Sequence, residues 1–309
     1  MRKVFFVSRL FPFHLVIYPG SGAGFGRAYG WPVEPIDRIA SVDFDIAIIE
    51  NRLTDGDVVA LEAFFTGASR RRPVFLKMSD PEMPRSRDPG VRYILGKADE
   101  RDVHYLSVYE PAGPLAAFFA GLHRSQVVAA PFPYESGREV DVPIGGRARR
   151  VFLSGARHRR VYPLRESLYR RVAWNPFARR LVDRLPHPGY PDTGEPARHD
   201  IIRERYVARA SESTHFFLDP SRYRVELMKY LECAYAGSVP FGVPASALPR
   251  PASENFVISE CRTADLRSAV TMPVDEMETI AKAYRSAMRT SRNAQALDAA
   301  LDEQINAAL

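Results

Sequence analysis

Short, continuously apolar runs recur through the first half of the chain. Such runs are typical of strands that are buried on both faces, as in a parallel sheet covered by helices. Two segments with helical spacing, 55–68 and 111–124, lie between the runs. The pattern therefore predicts a βαβ array. Its strands are expected at 4–8, 14–20, 45–50, 73–79, 105–110 and 126–132.

The segment 135–150 interrupts this pattern, because it is polar and rich in glycine and has no periodic apolar face. We place a domain boundary there, with an N-terminal domain over 1–140 and a C-terminal domain over 147–309. After the boundary the alternation starts again. The fold class is therefore α/β, with two Rossmann-like α/β/α domains. The elements expected in the second domain are strands at 150–156, 214–220 and 254–260, a helix at 163–174, a helix and strand within 222–242, and helical structure from Val274 to Leu309.

The composition excludes a few classes of protein and leaves the function open. The chain has 309 residues, a net charge of +6 and two cysteines, which excludes a disulfide framework or a cysteine-rich zinc module. No run of about 18 apolar residues is present, so we expect no membrane span. The basic and apolar N-terminus has no clean small-residue cleavage site, and we interpret it as strands rather than as a signal peptide. We expect a cytoplasmic protein.

One charge cluster departs from the average. Between Arg147 and Arg180 there are eleven arginines, no lysine and a single acidic residue, Glu166. Guanidinium groups bind phosphate and carboxylate oxygens in a bidentate manner. The cluster favours a phosphate-bearing ligand, and an anionic membrane surface, an acidic polymer or a merely solvated face are the alternatives.

Several familiar motifs are not present. The glycine-rich stretch 19–30 has neither the GxGxxG nor the phosphate-loop spacing, so it predicts a turn whose backbone could approach a ligand. Asp43 and Asp45 precede a predicted strand instead of following one, and we expect them to cap a turn and not to bind a metal. No RNA-binding signature or recognition helix occurs, so nucleic acid is not an expected partner.

The segment 222–242 carries the most specific signal. It predicts a helix that ends at a glycine and leads directly into a strand, with Lys229 and Glu232 one turn apart on a single helical face. A surface salt bridge is one explanation. The apolar residues around the pair favour another, in which the two charges lie at the mouth of a buried sheet and bind a ligand.

Three stretches resemble a known family. KYLECAYAGSVPFG (229–242) is similar to the nucleotide-sugar-binding segment of glycosyltransferases with the GT-B architecture, and VFLSGARHRRVYPLR (151–165) to the first strand and turn of the donor-binding domain in bacterial, family 1-like members. LPHPGY (185–190) resembles them more loosely. The resemblance implies two Rossmann-like domains that face each other across a cleft, with the donor on the second domain and the acceptor on the first.

The resemblance also implies roles for individual residues. Glu232 would accept hydrogen bonds from the ribose hydroxyls of the donor, and Arg224 and Lys229 would neutralise phosphate charge as the nucleotide leaves. The pair His187–Pro188 leaves a CMP-linked donor open. The further donor-binding residues that it implies are Ser154, Gly155, Arg165, His187, Tyr190 and Tyr223.

The chain departs from the family at one position. Many retaining members have a glutamate eight residues before the ribose glutamate, where this chain has Arg224. Retention or inversion of the sugar configuration therefore stays open. An inverting enzyme needs a general base on the N-terminal domain. Asp80 is our candidate, and Glu50 and Glu110 are the other acidic residues at strand ends.

We therefore predict a metal-independent glycosyltransferase whose only co-substrate is a nucleotide sugar and which has no other cofactor. The acceptor would be a hydroxyl of a surface glycan, a lipid-linked intermediate or a small natural product, and peripheral association with the inner face of a membrane is compatible with the arginines. The alternatives are a non-catalytic nucleotide- or sugar-binding module, a sugar-nucleotide epimerase of the same architecture, and a protein that binds membranes or polyanions.

Overall fold

The computed structural model describes residues 1–9, 22–67, 72–78, 89–97, 103–110, 127–189 and 198–309. The chain divides into two compact units. The first unit comprises Met1–Pro133 together with Arg292–Leu309, and the second unit comprises Tyr134–Ser291. Each unit is an α/β structure built on its own parallel sheet.

The first unit contains a six-stranded sheet in the order β2-β1-β3-β4-β5-β6. All of its paired strands are parallel. Most of the strand residues are fully buried, which explains why the sequence shows continuous apolar runs instead of alternation. Its strands are β1 (Lys3–Val7), β2 (Val33–Pro35), β3 (Ile46–Ile49), β4 (Val74–Met78), β5 (Val103–Ser107) and β6 (Val127–Ala129).

Helices cover the sheet of the first unit on both faces, and two separate apolar cores result. A capping box at Thr54 and Asp57 starts the longest of the described helices that precede residue 134. The helices described in this part of the chain are α1 (Ala23–Ala28), α2 (Asp55–Thr66) and α3 (Pro89–Lys97), with a short 3-10 turn at Ile36–Arg38.

The second unit contains a five-stranded parallel sheet in the order β11-β10-β9-β7-β8. Its strands are β7 (Ala148–Ser154), β8 (Val182–Leu185), β9 (Ser213–Leu218), β10 (Val239–Gly242) and β11 (Val257–Ile258). The helices are α4 (Pro163–Trp174), α5 (Pro176–Leu181), α6 (Arg203–Ser211), α7 (Met228–Ala236), α8 (Arg250–Ser253), α9 (Thr263–Thr271) and α10 (Val274–Ser291). Two 3-10 turns, Ser136–Arg138 and Ile144–Gly146, precede β7.

Alternate residues along the central strands of this sheet point to opposite layers. Val151, Leu153 and Phe217 pack against α4, α5 and α9 in one core. On the other face, the Phe152 ring meets the rings of Phe216 and of Tyr206 from α6. The second unit is therefore an α/β/α sandwich, as the sequence predicts.

The C-terminal helix departs from the predicted domain division. The helix α11 (Ala294–Ala308) belongs to the first unit, whereas the predicted C-terminal domain runs over 147–309. Lys3 donates to Asp302 over 2.7 Å and pairs with Asp298 at 2.8 Å, and Leu301 and Ile305 complete an apolar core of the first unit. Helical periodicity that continues from Val274 conceals this crossing in the sequence.

The glycine-rich stretch 19–30, predicted as a turn, contains a helix in its described part. Residues 23–28 form α1 and not an open turn. The Phe25 ring packs on the Phe5 ring at 5.8 Å, and a Cβ at Gly26 would lie 2.8 Å from the Cβ of Phe5. Glycine is therefore needed here for close packing of a helix on the sheet.

The predicted strand at 14–20 and the predicted helix at 111–124 lie outside the described residues. In the part of the chain that is described, the helices are too short or too polar for any of them to span a bilayer.

Candidate functional site

The order of the second sheet reverses at β7. The chain runs from β7 outward to the edge strand β8 and then returns to form β9 on the other side of β7. In open parallel sheets, ligands bind outside the carboxyl ends of the strands at such a reversal, because the following loops diverge to opposite faces there. Ser154 ends β7 and Asp219 follows β9, so both lie at this point.

Lys229 is the central cation of this site. It lies in the first turn of α7, and its Nζ donates to Ser154 Oγ over 2.8 Å and to the Tyr206 hydroxyl over 2.5 Å. Tyr206 and Ser154 are also hydrogen-bonded to each other. Burial lowers the pKa of Lys229 to about 8, and the nearby Glu232 carboxylate opposes that effect. The ammonium group therefore lies beside the end of β7. Because its pKa is about 8, it is deprotonated in a growing fraction of the molecules as the pH rises above neutral.

Glu232 is buried one turn further along α7. Burial raises the pKa of its carboxyl group, and the positive charge of Lys229 opposes that rise. The ammonium group of Lys229 donates to Ser154 and Tyr206. Lys229 and Glu232 therefore do not form the solvent-exposed salt bridge that the sequence alone allows. The structure therefore brings Ser154, Lys229 and Glu232 close together, and their binding of a donor stays a prediction.

Gly155 allows two cations to approach the backbone after β7. Its φ is +103°, in the region that favours glycine, and a Cβ would lie 2.8 Å from Arg165 Nη1 and 2.9 Å from Lys229 Cε. A larger residue would displace the side chains that converge here. The glycine therefore places a backbone amide close to positive charge, which suits an anionic ligand.

Arg165 is a buried anchor of this site. It lies in the first turn of α4, and its Nε and Nη2 donate to Asp219 Oδ1 over 3.0 and 2.5 Å. Its backbone N–H also donates to Asp219, over 3.3 Å. These bonds fasten the start of α4 to the carboxyl end of β9. The guanidinium of Arg165 is thus used within the protein, although its Nη1 lies beside Gly155.

A pocket of about 930 Å³ opens next to this cluster, at the ends of β7 and β8. Glu166, the acidic residue of its lining, pairs with Arg157 at 2.8 Å and with Arg170 at 3.1 Å. Hydrogen bonds from Arg157 lower the pKa of this carboxyl group. The pocket therefore keeps a positive character. The charged and imidazole side chains that line it are Arg157, His158, Arg159, Glu166, Arg184, His187 and Arg198.

His187 lies in this pocket as a neutral imidazole. Burial lowers its pKa to about 4, and the positive charges of Lys229 and Arg198 add to the effect. Its Nδ1 accepts from the Gly189 N–H over 3.1 Å, so the ring proton lies on Nε2. A neutral imidazole with Nε2–H is a hydrogen-bond donor for an anion or a nucleobase.

The loop after β9 carries Tyr223 and Arg224. Arg224 is exposed, and its φ of 59° is unusual for a residue with a side chain. Its backbone is fixed by a bond from its N–H to Ser221 O at 3.2 Å and by a bond from Ser246 N–H at 3.0 Å. Tyr223 is half-buried, and its hydroxyl accepts from Arg222. Neither side chain bonds to the Lys229 cluster.

Of the three candidates for a general base, the structure describes Glu50 and Glu110. Asp80 lies outside the described residues, as does Tyr190 of the donor-binding set. Glu50 is buried at the end of β3 and forms an ion pair with the fully buried Lys77 at 3.0 Å. Burial lowers the pKa of Lys77, and its Nζ lies over the Phe25 ring. Glu50 therefore has a structural partner, whereas Glu110 is exposed after β5.

Two residues of the site were not found from the sequence. Tyr206 lies in α6, whose polar composition gave no sign of a helix. Asp219 did have a signal, because it directly follows a buried apolar strand at its carboxyl end. Within the described part of the chain, no three His, Cys, Asp or Glu side chains are grouped closely enough to hold a metal ion.

The chain was also compared with known proteins. Neither the protein-family models nor the curated protein sequences give a match. Solved structures do match over nearly the full chain. An alpha-glucosyltransferase in complex with UDP superposes with a TM-score of 0.67 at 11% identity, covering 100% of this chain and 99% of its own. The chain has the GT-B fold.

Two further structures support the GT-B fold. HepE from Anabaena, in complex with UDP and glucose, matches with a TM-score of 0.55 at 11% identity and covers 99% of this chain and 100% of its own. A UDP-forming alpha,alpha-trehalose-phosphate synthase from Burkholderia xenovorans matches with 0.53 at 14% identity, covering 93% and 79%. The predicted class of two Rossmann-like domains is thus confirmed, and at these identities the likeness concerns the fold.

Proposed function

We propose that this protein is a glycosyltransferase that moves a sugar from a nucleotide-sugar donor to a hydroxyl group of an acceptor. The observation that carries the proposal is the convergence of Ser154, Gly155, Lys229 and Glu232 at the reversal point of the second sheet. The full-length likeness to glycosyltransferases whose structures contain UDP supports it.

In the proposed reaction, the second unit binds the donor. The diphosphate lies against the backbone of Gly155, beside Lys229. As the bond between the sugar and the diphosphate breaks, negative charge grows on the leaving phosphate, and the Lys229 ammonium stabilises it electrostatically. Neutral His187 lies in the adjacent pocket. We propose that the reaction needs no metal or further cofactor, because these groups and the pocket arginines supply the positive charge.

Glu232 recognises the ribose in this proposal. A carboxylate accepts hydrogen bonds from the two hydroxyls of a ribose, whereas the phosphate oxygens of a nucleotide have no proton to donate to it. The donor is a ribonucleotide sugar, with UDP as the first nucleotide to test. The acceptor hydroxyl belongs to a glycan, a lipid-linked sugar or a small molecule. For a reaction that inverts the sugar configuration, Asp80 is the proposed general base.

A comparison of UDP with 2′-deoxy-UDP tests the ribose assignment. In the unaltered protein, UDP should bind about 10- to 100-fold more tightly than 2′-deoxy-UDP, since a hydrogen bond to a charged group contributes about 1.5–3 kcal/mol. In Glu232→Gln, the two affinities should become similar. Calorimetric titration measures both, and an unchanged preference in the variant would remove Glu232 from the ribose site.

A second experiment tests the activity. The protein is first screened for stabilisation by UDP, GDP, CMP and dTDP, where a nucleotide at 100 times its dissociation constant should add about 2.7 kcal/mol. The corresponding labelled nucleotide sugars are then incubated with a panel of hydroxyl acceptors. A glycoside detected by mass spectrometry supports the proposal. An epimerised donor without acceptor, or a bound nucleotide sugar that is never consumed, contradicts it.

A further inference from the structure

Two aromatic side chains protrude from the second unit, away from the site described above. Trp174, the last residue of α4, is 87% exposed, and Phe177 in the first turn of α5 is 64% exposed. The other large apolar side chains exposed in the described part of the chain are aliphatic. Exposed aromatics three residues apart are unusual, because rings of this size normally contribute to a core or to an interface.

Arginines surround these two rings. Arg170 lies one helical turn before Trp174 and remains 57% exposed while it bonds to Glu166. Arg179 and Arg180 are exposed on α5, and Arg180 lies one turn after Phe177. No aspartate or glutamate occurs over 167–182. We call Arg170, Trp174, Phe177, Arg179 and Arg180 the aromatic–arginine patch.

The position of the patch separates it from the nucleotide pocket. The helix α4 begins after the carboxyl end of β7 and returns along the sheet, and α5 then leads into the start of β8. Val151 and Val182 are paired in register, so exposed Arg150 and the end of α5 lie at the same, amino-terminal edge of the sheet. The pocket lies at the opposite edge. The patch is therefore free for a partner while a nucleotide is bound.

The corner between α4 and α5 is rigid, which presents the two rings in a fixed arrangement. Asn175 Oδ1 accepts from the N–H groups of Phe177 and Ala178 over 2.9 and 3.2 Å, and its Nδ2 donates to Thr263 Oγ1 over 3.3 Å. The first two bonds cap α5, and the third fastens the corner to α9. A fixed, convex corner differs from the grooves in which proteins stack the bases of single-stranded nucleic acids.

We propose that the aromatic–arginine patch docks on an anionic lipid bilayer. Indole and phenyl rings at a protein surface insert at the level of lipid headgroups, where an amphipathic ring finds both an apolar and a polar environment. Arginines beside them are attracted to acidic headgroups within about one Debye length of the surface. The corner supplies both components on exposed side chains, and no aspartate or glutamate occurs between Glu166, which pairs with Arg170, and Asp183.

Vesicle binding tests this proposal on the full chain. The protein is sedimented with vesicles of phosphatidylcholine and phosphatidylglycerol at 7:3, and with vesicles of phosphatidylcholine alone. Binding should be strong to the mixed vesicles, weak to the neutral ones, and reduced as salt is raised. Arg179→Gln and Arg180→Gln should each weaken the binding about fivefold. Trp174→Ser with Phe177→Ser should weaken it about tenfold or more.

Matched controls change charge and apolarity elsewhere. Arg2→Gln and Arg38→Gln remove exposed arginines from the first unit, and Val59→Ser and Ile258→Ser remove exposed aliphatic side chains. These variants should keep the affinity for the mixed vesicles. Two measurements report whether the patch variants remain folded. If the unaltered protein binds a nucleotide, the variants should be stabilised by the same nucleotide. If it binds none, their melting temperature should be unchanged. The outcome is thereby independent of the proposed transfer activity.

Tryptophan fluorescence gives a direct readout, because the chain has two tryptophans and Trp31 is buried. Addition of mixed vesicles should shift the emission of Trp174 to shorter wavelength, and Trp174→Phe should lose the shift while it retains the Trp31 signal. Three results would overturn the proposal: equal loss of binding in the control variants, tighter binding to single-stranded RNA that depends on the same rings, or self-association through the patch in sedimentation velocity.

Discussion

At the scale of single residues, Lys229 links the structure of the site to pH. Its pKa of about 8 lies below the ordinary 10.5, so the folded protein binds fewer protons than the unfolded chain between these values. Its burial therefore costs most stability below pH 8, and the cost is relieved as the pH rises toward 10.5. A cation kept at such a cost is consistent with a function in binding anions.

We predict that affinity for UDP falls as the pH rises through 8, by up to about tenfold per unit, because only the protonated Lys229 attracts the diphosphate. In Lys229→Arg the affinity should vary little from pH 7 to 9.5, since a guanidinium stays charged. Calorimetric titrations across this range provide the measurement. A flat profile in the unaltered protein would show that Lys229 does not contact the phosphates.

Gly155 supports a second prediction at this scale. Gly155→Ala should lose about 1–3 kcal/mol of stability through its positive φ, and should bind UDP at least tenfold more weakly, because the new Cβ displaces Arg165 and Lys229. Gly146→Ala is the matched control, since a Cβ there meets no atom within 4 Å. Thermal unfolding and UDP titration of both variants test this, and equal behaviour of the pair would contradict it.

At the scale of helices and strands, the site depends on the attachment of α4 to β9. Arg165 and Asp219 are both 3% exposed in their side chains and form the ion pair that joins these elements. Removal of one partner from a buried pair leaves an uncompensated charge, whereas replacement of both by apolar groups of similar volume can be neutral.

Arg165→Met should therefore destabilise the second unit by about 3–5 kcal/mol, and Arg165→Met combined with Asp219→Leu should recover much of that loss. Urea unfolding of the two variants measures the difference. If the double variant is as unstable as the single one, the pair contributes hydrogen bonds that apolar packing does not replace.

Sequence patterns located the elements with continuous apolar character and not those with polar faces. The predicted helix over 163–174 agrees with α4, and the predicted apolar strands that fall in the described residues agree within a few residues. The strand β8 is not predicted from the sequence, because VDRL has two charged residues at its centre, one of which, Asp183, pairs with Arg209 of α6. The helix α6 was not predicted because tertiary contacts of Val207 and Ala210, and not an apolar stripe, stabilise it.

The same limit explains which site residues could be found. Ser154, Gly155 and Lys229 lie at the ends of apolar elements whose order is readable, and Glu232 lies within one of them, so the resemblance to a known segment points to all four. Tyr206 lies on an unpredicted helix, and its contact with Lys229 joins residues 23 positions apart across two elements. Such a contact depends on the packing of α6 against α7, which local sequence does not encode.

At the scale of the whole molecule, the division into units predicts where a distant substitution acts. Ile305 is fully buried in a core of the first unit, although it lies beyond the second unit in the sequence. Ile305→Ala should destabilise the first unit by about 2–5 kcal/mol and leave UDP binding by the second unit intact.

Limited proteolysis of Ile305→Ala, with and without UDP, shows which of the two units the substitution destabilises. Early cleavage within 22–67, with a fragment protected by UDP that contains 134–291, agrees with the observed division. Early cleavage within the second unit would instead favour the division at 147 that the sequence suggests.

The return of α11 to the first unit has a consequence for synthesis on the ribosome. The second unit is continuous in the chain, whereas the first unit lacks Leu301 and Ile305 until the whole second unit has been translated. At about 5–20 residues per second, the first 133 residues wait roughly 10 to 35 seconds for their closing helix. The second unit, which is synthesised later, can thus fold before the first unit. We expect chaperones to bind the nascent first unit during this time.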